Sequence, residues 1–463
     1  MFIIEVYISA RTVTDTETPI YTHLLKYHRK NRIPFAMPGH KNLRALAPDL
    51  QLCDVTELAE TVDLYNGDEV TNRANELLAE RYKSRKSFIL TGGSTLGIQV
   101  MLSSVLDRGD TLLASSDCHM SVINTCALCG FNIKFADVGF DGEFLVPSRK
   151  TDFEIADDIK AVLLTSPNYY GMVKDIRAAA EKCHSAGVPL IVDGAHGAHF
   201  IASDRLPCSA EELGADMVCL SAHKTLNALT GAAYLNVCGE NIDLKRVKRA
   251  VSAFATSSPS YPIAASADIA RAVSEKTDYT LIIDECEEFK NAIRRCTKIK
   301  FLDNDDLLRI VMCFSEYEIS GFEVNAILSS YYGIDVEAAD LLNIIMIVTP
   351  WNKHEDFTEL FRALREITAG LNERKTIPRL EPPPVTDEVI SPSEGWFAKT
   401  EAVSLDKAAD RRSVVNVSAY PPGCPIIVTG GIITREQTEY IAMLKSVNAH
   451  IIGLDDDRIE VVK

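Results

Sequence analysis

The stretch Met217-Val218-Cys219-Leu220-Ser221-Ala222-His223-Lys224-Thr225 joins four apolar residues to a lysine flanked by hydroxyl and histidine side chains. An apolar run of this length is typical of a strand covered on both faces of a parallel sheet. Ligands bind at the carboxyl ends of such strands. The alternative is a solvated surface lysine, but at a sheet edge loss of water lowers the pKa of an amine and makes its nitrogen nucleophilic.

Similar runs surround this stretch and alternate with helical patterns between Phe88 and Val237. The predicted strands are Ser87–Leu90, Thr111–Ala114, Ile133–Val138, Ala161–Thr165, Leu190–Val192, Met217–Leu220 and Ala232–Val237. Helices are predicted between them, for example at Leu96–Leu106 and Ile176–Ala186. The alternation predicts an α/β fold built on a mainly parallel, seven-stranded sheet.

Changes in pattern along the chain predict its division into domains. The prediction is an N-terminal lead-in at residues 1–85, a large domain at 86–300, a small α+β domain at 301–375 and a C-terminal module at 386–463. The small domain is expected to contain the segments Leu307–Phe314 and Leu342–Val348 and a helix near Asp356–Thr368. The Pro-rich stretch Thr376–Val385 is the predicted linker before the C-terminal module.

Composition excludes some classes of function. The chain has 463 residues with 48 Lys and Arg against 65 Asp and Glu, a formal charge of −17. Nucleic acids and anionic membranes need clustered cations, so neither is expected as a partner, and a small molecule is. No apolar stretch is long enough to span a membrane, and the start Met1–Ala10 contains Glu5 and lacks a basic leader, so a cytoplasmic protein is expected.

Twelve cysteines without regular spacing favour reduced thiols over a disulfide framework. The pair Cys126 and Cys129 has no second pair or nearby histidine at zinc spacing, so no metal is expected there.

A second motif, Asp193-Gly194-Ala195-His196-Gly197-Ala198-His199, follows the predicted strand Leu190–Val192. A simple turn and a His-x-x-His metal pair are the alternatives, and the metal pair lacks a third ligand at sensible spacing. An acidic residue at a strand end, about thirty positions before a candidate Schiff-base lysine, suits pairing with a pyridinium nitrogen. Such a contact keeps a cofactor ring protonated and able to act as an electron sink.

Two further loops follow predicted strands. Thr91-Gly92-Gly93-Ser94-Thr95-Leu96-Gly97 precedes a helix, where glycines, N–H groups and hydroxyls suit an anion such as a phosphate; it lacks the Gly-Lys-Ser/Thr of a Walker loop. Ser116-Asp117-Cys118-His119-Met120-Ser121 follows Thr111–Ala114. A lone histidine is commonly structural, but the ring of His119 at this edge could stack on a flat cofactor.

Together these loops resemble those of the fold-type I pyridoxal-phosphate enzymes, and more closely those of the ornithine/lysine/arginine decarboxylase family in its compact form. Segments that are similar to family signatures are Met37-Pro38-Gly39-His40-Lys41, Asp193 to His199 with Gly194 in place of Glu, Ser221-Ala222-His223-Lys224, Ser257-Ser258-Pro259-Ser260-Tyr261-Pro262 and Tyr420-Pro421-Pro422-Gly423-Cys424-Pro425. The resemblance runs from about Thr18 to about Thr434.

The resemblance implies pyridoxal 5'-phosphate as cofactor and assigns roles to individual residues. Lys224 would form the Schiff base, Asp193 would pair with the pyridine nitrogen and His119 would stack on the ring. Gly93, Ser94, Thr95, Ser221 and His223 would form the phosphate site, and Ala195 and His196 would lie near the other side of the ring. Ser258 would reach a phosphate in a neighbouring subunit, because family active sites are built at the interface of a homodimer or higher homo-oligomer.

The resemblance also implies the reaction: decarboxylation of arginine, lysine or ornithine to an amine and carbon dioxide. Carboxylates expected for the substrate's distal cation are replaced by Val415 and Gly431. Acidic residues that could substitute are Asp54, Glu57, Asp63, Asp68 and Glu69.

Two other functions stay open. One is a different pyridoxal-phosphate enzyme, either a decarboxylase of an atypical amino acid or an aminotransferase that uses Arg362, Arg365, Arg411 or Arg412 for the substrate carboxylate. The other is a non-catalytic relative that binds a true decarboxylase.

Overall fold

The computed structural model describes residues 33–35, 63–67, 69–374, 382–383, 385, 388–419 and 423–463. The predicted signature Met37–Lys41, the candidate carboxylates Asp54, Glu57 and Asp68, and most of the predicted linker lie outside the described residues.

Strands and helices alternate through the first two thirds of the described chain. The strands, numbered in chain order, are β1 Ile33–Pro34, β2 Lys86–Leu90, β3 Thr111–Ser115, β4 Asn132–Asp141, β5 Val146–Asp152, β6 Ile159–Thr165, β7 Leu190–Asp193, β8 Met217–Leu220, β9 Ala233–Val237, β10 Lys300–Phe301, β11 Arg309–Cys313, β12 Ile334–Asp335, β13 Ala338–Ala339, β14 Asn343–Ile347, β15 Thr400–Ser404, β16 Val417–Ala419, β17 Pro425–Ile427, β18 Ile451–Ile452 and β19 Arg458–Val462. The α-helices are Glu69–Tyr82, Gly93–Val105, Met120–Cys129, Ile176–Ser185, Ala222–Thr225, Leu244–Phe254, Tyr261–Ser274, Thr280–Cys296, Gly321–Ile327, His354–Ala369, Pro392–Trp396 and Arg435–Ser446. Shorter turns of 3₁₀ helix lie at Phe200–Ala202 and Leu405–Lys407, and one of π-helix lies at Leu328–Tyr332.

The large domain is built on a mixed sheet with the strand order β2-β9-β8-β7-β6-β3-β4-β5. The predicted α/β fold is confirmed, and each of the seven predicted strands is present to within a few residues. The described sheet has eight strands, one more than predicted, because β5 adds to β4 as an antiparallel hairpin. The segment Val146–Asp152 is mostly polar and only partly buried at the sheet margin, so it lacks the apolar run that marked the others.

The direction of the strands brings five loops to one edge. Strands β4, β3, β6, β7 and β8 are parallel, whereas β9 is antiparallel to both β8 and β2. Since both β2 and β8 are antiparallel to β9, β2 and β8 run in the same direction. The loops that follow β2, β3, β6, β7 and β8 therefore meet at the carboxyl edge of the sheet.

The small domain is built around a second apolar core, to which the large domain contributes residues such as Phe200 and Leu206. Its antiparallel sheet has the order β10-β11-β14-β13, and the strands β11 and β14 are fully buried. The helices Thr280–Cys296 and His354–Ala369 pack against this sheet, with Phe289 and Phe357 in ring contact at 5.7 Å. This arrangement holds the first residue of β11, Arg309, beside the large domain.

The C-terminal module pairs β15 with β19 and places β16 between β17 and β18. Its helix Arg435–Ser446 begins with a capping box, in which Thr434 Oγ1 accepts a hydrogen bond from the N–H of Gln437 and the N–H of Thr434 donates to Gln437 Oε1. The domain boundaries predicted above remain predictions. In the described part of the chain, no helix has the length and apolar character needed to cross a membrane.

Candidate active site

A cavity of about 230 Å³ opens at the carboxyl edge of the large sheet. Ten of the eleven predicted cofactor residues line it: Gly93, Ser94, Thr95, His119, Asp193, Ala195, His196, Ser221, His223 and Lys224. They come from the loops after β2, β3, β7 and β8. The sequence therefore predicted which side chains converge, because the direction of parallel strands fixes where their loops lie.

One wall of the cavity is the amino end of the helix Gly93–Val105. Gly93 has a φ of +68°, a left-handed conformation that glycine adopts at little cost, and its N–H donates to the carbonyl of Gly231 at 2.8 Å. The first-turn N–H groups of Ser94 and Thr95 have no partner within the helix. Ser221 Oγ, fully buried at the same cavity, has no hydrogen-bond partner among the described residues. These unmatched donors suit a phosphate.

His223 lies beside the same wall. Its Nδ1–H donates to the carbonyl of Ala232 at 2.9 Å, which leaves Nε2 for another contact. Burial lowers the pKa of His223, although the carbonyl of Ala232 favours its protonated form. The neutral ring therefore offers a lone pair at Nε2, and donation to a phosphate would require a proton there.

The last residue of β7, Asp193, supplies a carboxylate to the cavity lining. Asp193 is buried, and its Oδ1 accepts a hydrogen bond from the N–H of Ala195 at 3.1 Å. This contact fixes the carboxylate in the turn that follows the strand. A carboxylate held in this way at the cavity wall suits a protonated ring nitrogen.

Lys224 lines the same cavity from the short helix Ala222–Thr225 after β8. Its Nζ is 3.0 Å from Nε2 of His196, and Nδ1 of His196 is 2.9 Å from Nη2 of Arg309. Burial lowers the pKa of Lys224, although the charges of Asp193 and Glu337 act in the opposite direction. Burial, with the positive charges of Lys224 and Arg309, holds the pKa of His196 well below its ordinary value. The site therefore favours a neutral amine.

His119 precedes the helix Met120–Cys129 and caps it. Its Nδ1 accepts from the N–H of Ser121 at 3.2 Å and lies 2.9 Å from the hydroxyl of Ser121. The ring is exposed to the cavity, yet the surrounding protein lowers its pKa by desolvation. A neutral ring with one open side suits stacking on a flat group.

Several cavity residues were not predicted. Tyr169 and Tyr170 follow β6, and Asp117 precedes His119. The carboxylate of Asp117 accepts from Lys174 Nζ at 2.6 Å, and both side chains are almost fully buried. The same rule that identified the other loops, a position just after a buried strand, would have found these three residues.

Two other residues reach the site from outside the large domain. Cys424, from the similar segment Tyr420–Pro425, lines the cavity, and its thiol lies 3.6 Å from the carbonyl of Asp117; burial raises the pKa of Cys424 to about 12. Arg309 comes from the small domain and contacts His196. No local pattern indicates Arg309, because its position depends on packing between domains.

Some predicted residues lie elsewhere. Ser258 is exposed outside the cavity, so its predicted role in a neighbouring subunit stays a prediction. Asp63, Glu69, Val415 and Gly431 do not line the cavity. Neither do the four arginines considered for an aminotransferase: Arg362 pairs with Glu359 and Glu366, Arg365 lies over Phe361, Arg411 pairs with Glu401, and Arg412 donates to the carbonyl of Gly430.

Comparison with solved structures identifies the fold. The constitutive lysine decarboxylase of Escherichia coli matches with a TM-score of 0.74 at 17% identity, over 96% of this chain and 82% of that chain. At this identity the likeness defines the fold alone, which is that of the fold-type I pyridoxal-phosphate enzymes.

Comparison of sequences identifies the family. The model of the "Orn/Lys/Arg decarboxylase, major domain" matches residues 18–315, and that of the C-terminal domain matches residues 388–460. The uncharacterized protein YaaO of Bacillus subtilis is 33% identical over 94% of this chain and 96% of its own. An arginine decarboxylase of Bacillus anthracis is 29% identical over 97% of this chain and 98% of its own. The chain belongs to the Orn/Lys/Arg decarboxylase family and is an amino-acid decarboxylase by class.

Proposed function

We propose that the chain decarboxylates a basic amino acid, with arginine the first substrate to test, and that it uses pyridoxal 5'-phosphate held covalently on Lys224. The observation that carries this proposal is the convergence of Lys224, Asp193 and the amino end of the helix Gly93–Val105 on one cavity. Arginine comes first because the similar proteins from Bacillus anthracis and other bacilli are arginine decarboxylases.

The residues present fit each part of the cofactor. Ser94, Thr95 and Ser221 offer hydroxyl and N–H donors for a phosphate, and the Oγ of Ser221 is buried without a partner among the described residues. Asp193 is the carboxylate for a protonated pyridine nitrogen, and the exposed ring of His119 is the stacking surface. The bound cofactor would supply an electron sink for the pair of electrons left when the Cα–carboxylate bond breaks.

The protein's own part in the reaction is to bind, orient and move protons. Lys224 has to be a neutral amine when it binds the cofactor, and burial favours that form. His119, His196 and Lys224 lie at the cavity, where each could hold or deliver the proton that replaces the carboxylate at Cα.

An adjoining cavity of about 380 Å³ is proposed to take the substrate's side chain. It shares Asp117, Pro147, Tyr170 and Cys424 with the first cavity. Asp117 Oδ1 is buried and has no hydrogen-bond partner among the described residues, since Lys174 engages Oδ2. A distal ammonium or guanidinium group would find an acceptor there.

We also propose a homodimer or higher homo-oligomer, in which Ser258 of one copy completes the phosphate site of another. The exposure of Ser258 in a single chain supports this arrangement. A cytoplasmic location stays a prediction.

The test is release of carbon dioxide from arginine, lysine and ornithine, each added separately to protein loaded with the cofactor. We expect gas from one of the three and the corresponding amine in equal amount. The matched control is Lys224→Ala. Conversion of an added 2-oxo acid to an amino acid, without gas, would establish an aminotransferase instead. Inactivity with every amino acid and failure to retain the cofactor would favour a non-catalytic partner.

A further inference from the structure

Arg309 is a buried cation whose charge serves no ion pair in the described part of the chain. Its side chain is among the largest that are fully buried, at 1% exposure. The Nε and Nη1 atoms have no hydrogen-bond partner among the described residues, and no described carboxylate lies within ion-pair distance. Burying an unpaired charge is costly, so the one side-chain hydrogen bond of Arg309 among the described residues, from Nη2 to His196 Nδ1 at 2.9 Å, needs a reason.

The surroundings of Arg309 hold it in place. Gly171 has a φ of +82°, and a Cβ there would lie 2.8 Å from Arg309 Cβ, so only glycine leaves this space. Asn304 Nδ2 donates to the carbonyl of Arg309 at 2.8 Å. The guanidinium lies 6.0 Å from the ring centre of Tyr169, and that ring meets His196 edge-on at 5.2 Å. Arg309 is therefore directed at one ring nitrogen of His196.

The chemistry of the guanidinium fixes the direction of each hydrogen bond. Arginine stays protonated in proteins and has donors but no acceptor, so Nδ1 of His196 must accept. A neutral imidazole with an accepting Nδ1 carries its hydrogen on Nε2. The Nε2–H then points to Lys224 Nζ, 3.0 Å away. An ammonium group has no lone pair, so only the neutral amine of Lys224 can accept this bond.

We propose that Arg309 is a positioning residue that holds His196 in its Nε2–H form, so that the contact between His196 and Lys224 is complete only when Lys224 is a neutral amine. The proton released by Lys224 goes to solvent. The value of this arrangement for catalysis rests on the proposed function, in which the neutral amine binds the cofactor. The arrangement of hydrogen bonds does not depend on the substrate.

Other groups also affect the protonation of Lys224, and the test has to separate their effects from that of Arg309. Asp193, Glu337 and Cys219 favour its protonated form, and Arg309, with the desolvation by burial, favours the neutral form. The three histidines around it are His119, His196 and His223. Of these groups, Arg309 is the one that contacts Nδ1 of His196 and, as an obligate donor, requires that nitrogen to accept, so the tautomer is the readout that burial alone would not change.

The first experiment is ¹⁵N NMR of the full chain with labelled histidine rings, after the cofactor has been removed with hydroxylamine. The His196→Gln variant assigns the resonances of His196. We expect a neutral ring with hydrogen on Nε2 in the wild type at neutral pH. Hydrogen on Nδ1, or a doubly protonated ring, would overturn the proposal.

The second experiment compares Arg309→Met with Arg309→Lys. In each, acylation of Lys224 is followed against pH by mass spectrometry of its peptide, with the exposed Lys248 as internal reference. In Arg309→Met we expect a mixture of tautomers, a midpoint of acylation shifted to higher pH and several-fold slower acylation at neutral pH. Arg309→Lys, which keeps a cationic donor, should stay near the wild type.

A folded Arg309→Met protein with the wild-type tautomer and midpoint would contradict the proposal. If Arg309→Met fails to fold, the wild-type ¹⁵N spectrum and the acylation profile of Arg309→Lys still test the proposal. Neither measurement uses a substrate. Failure of the proposed decarboxylation with an intact Nε2–H tautomer would therefore point to the function, and the wrong tautomer in an active decarboxylase would point to Arg309.

Discussion

Two groups of residues form the cavity, and their positions have different origins. One group lies in the loops after the strands of the large domain, and the other reaches the cavity from the other domains. Each loop follows a buried strand directly, so Asp193 and Lys224 are placed by the sheet itself. Arg309 and Cys424 belong to other parts of the chain, and packing between domains brings them to the same cavity. The chemistry of the site is thus built on the sheet, and the other domains adjust it.

The largest effect is expected from substitution of Lys224, which follows β8 and lines the cavity. Lys224→Ala should abolish both gas release and the absorbance of the cofactor's Schiff base with the protein, because no other described residue of the cavity provides an amine. The exposed Lys248→Ala is the control and should behave as the wild type. A Lys224→Ala protein that keeps the absorbance would refute the covalent role of Lys224.

The second largest effect is expected on the free energy of unfolding, from the buried ion pair between Lys174 and Asp117. Lys174→Met should lower the free energy of unfolding by about 3–5 kcal/mol, since it leaves the buried Asp117 carboxylate without its cation. Urea denaturation measures this. The double variant Asp117→Asn/Lys174→Met should recover most of the loss, whereas a single variant as stable as the wild type would show that the pair contributes little. Arg73→Met, which breaks an exposed ion pair with Glu76, should change stability little.

The Asp193→Asn variant separates binding of the cofactor from turnover of the substrate. We expect turnover to fall about a hundredfold or more, as when one preorganised charged contact to a reacting centre is removed. Cofactor absorbance should persist because Lys224 is intact. Steady-state kinetics and the absorption spectrum check this, with the exposed Asp406→Asn as control. Turnover equal to the wild type would exclude the role given to Asp193.

The smallest effect tests a contact between domains. Tyr170 donates to Asp340 Oδ2 at 3.0 Å, from the loop after β6 to the small domain. Tyr170→Phe should cost about 1–2 kcal/mol of stability, because a buried carboxylate loses one partner. Thermal unfolding compares it with Tyr331→Phe, whose side chain is 82% exposed. Equal stability of the two variants would mean that this bond does not help to hold the domains together.

Most of the cavity residues that directly follow strands of the large sheet could be predicted from the sequence. Apolar runs such as Met217–Leu220 identify buried strands, and the residue after such a run has a nearly fixed position. The polar edge strand Val146–Asp152 was missed because exposed strands lack that pattern. Arg309 was missed because nothing in its neighbourhood along the chain encodes its contact with His196, 113 residues away.

The covalent role of Lys224 is tested by reduction of the cofactor-loaded protein with borohydride, followed by peptide mapping by mass spectrometry. We expect pyridoxal phosphate to become fixed to the peptide that contains Lys224 and to no other, and arginine or another basic amino acid, added before reduction, to lower this labelling. Cofactor fixed to a different lysine, or to none, would contradict this role.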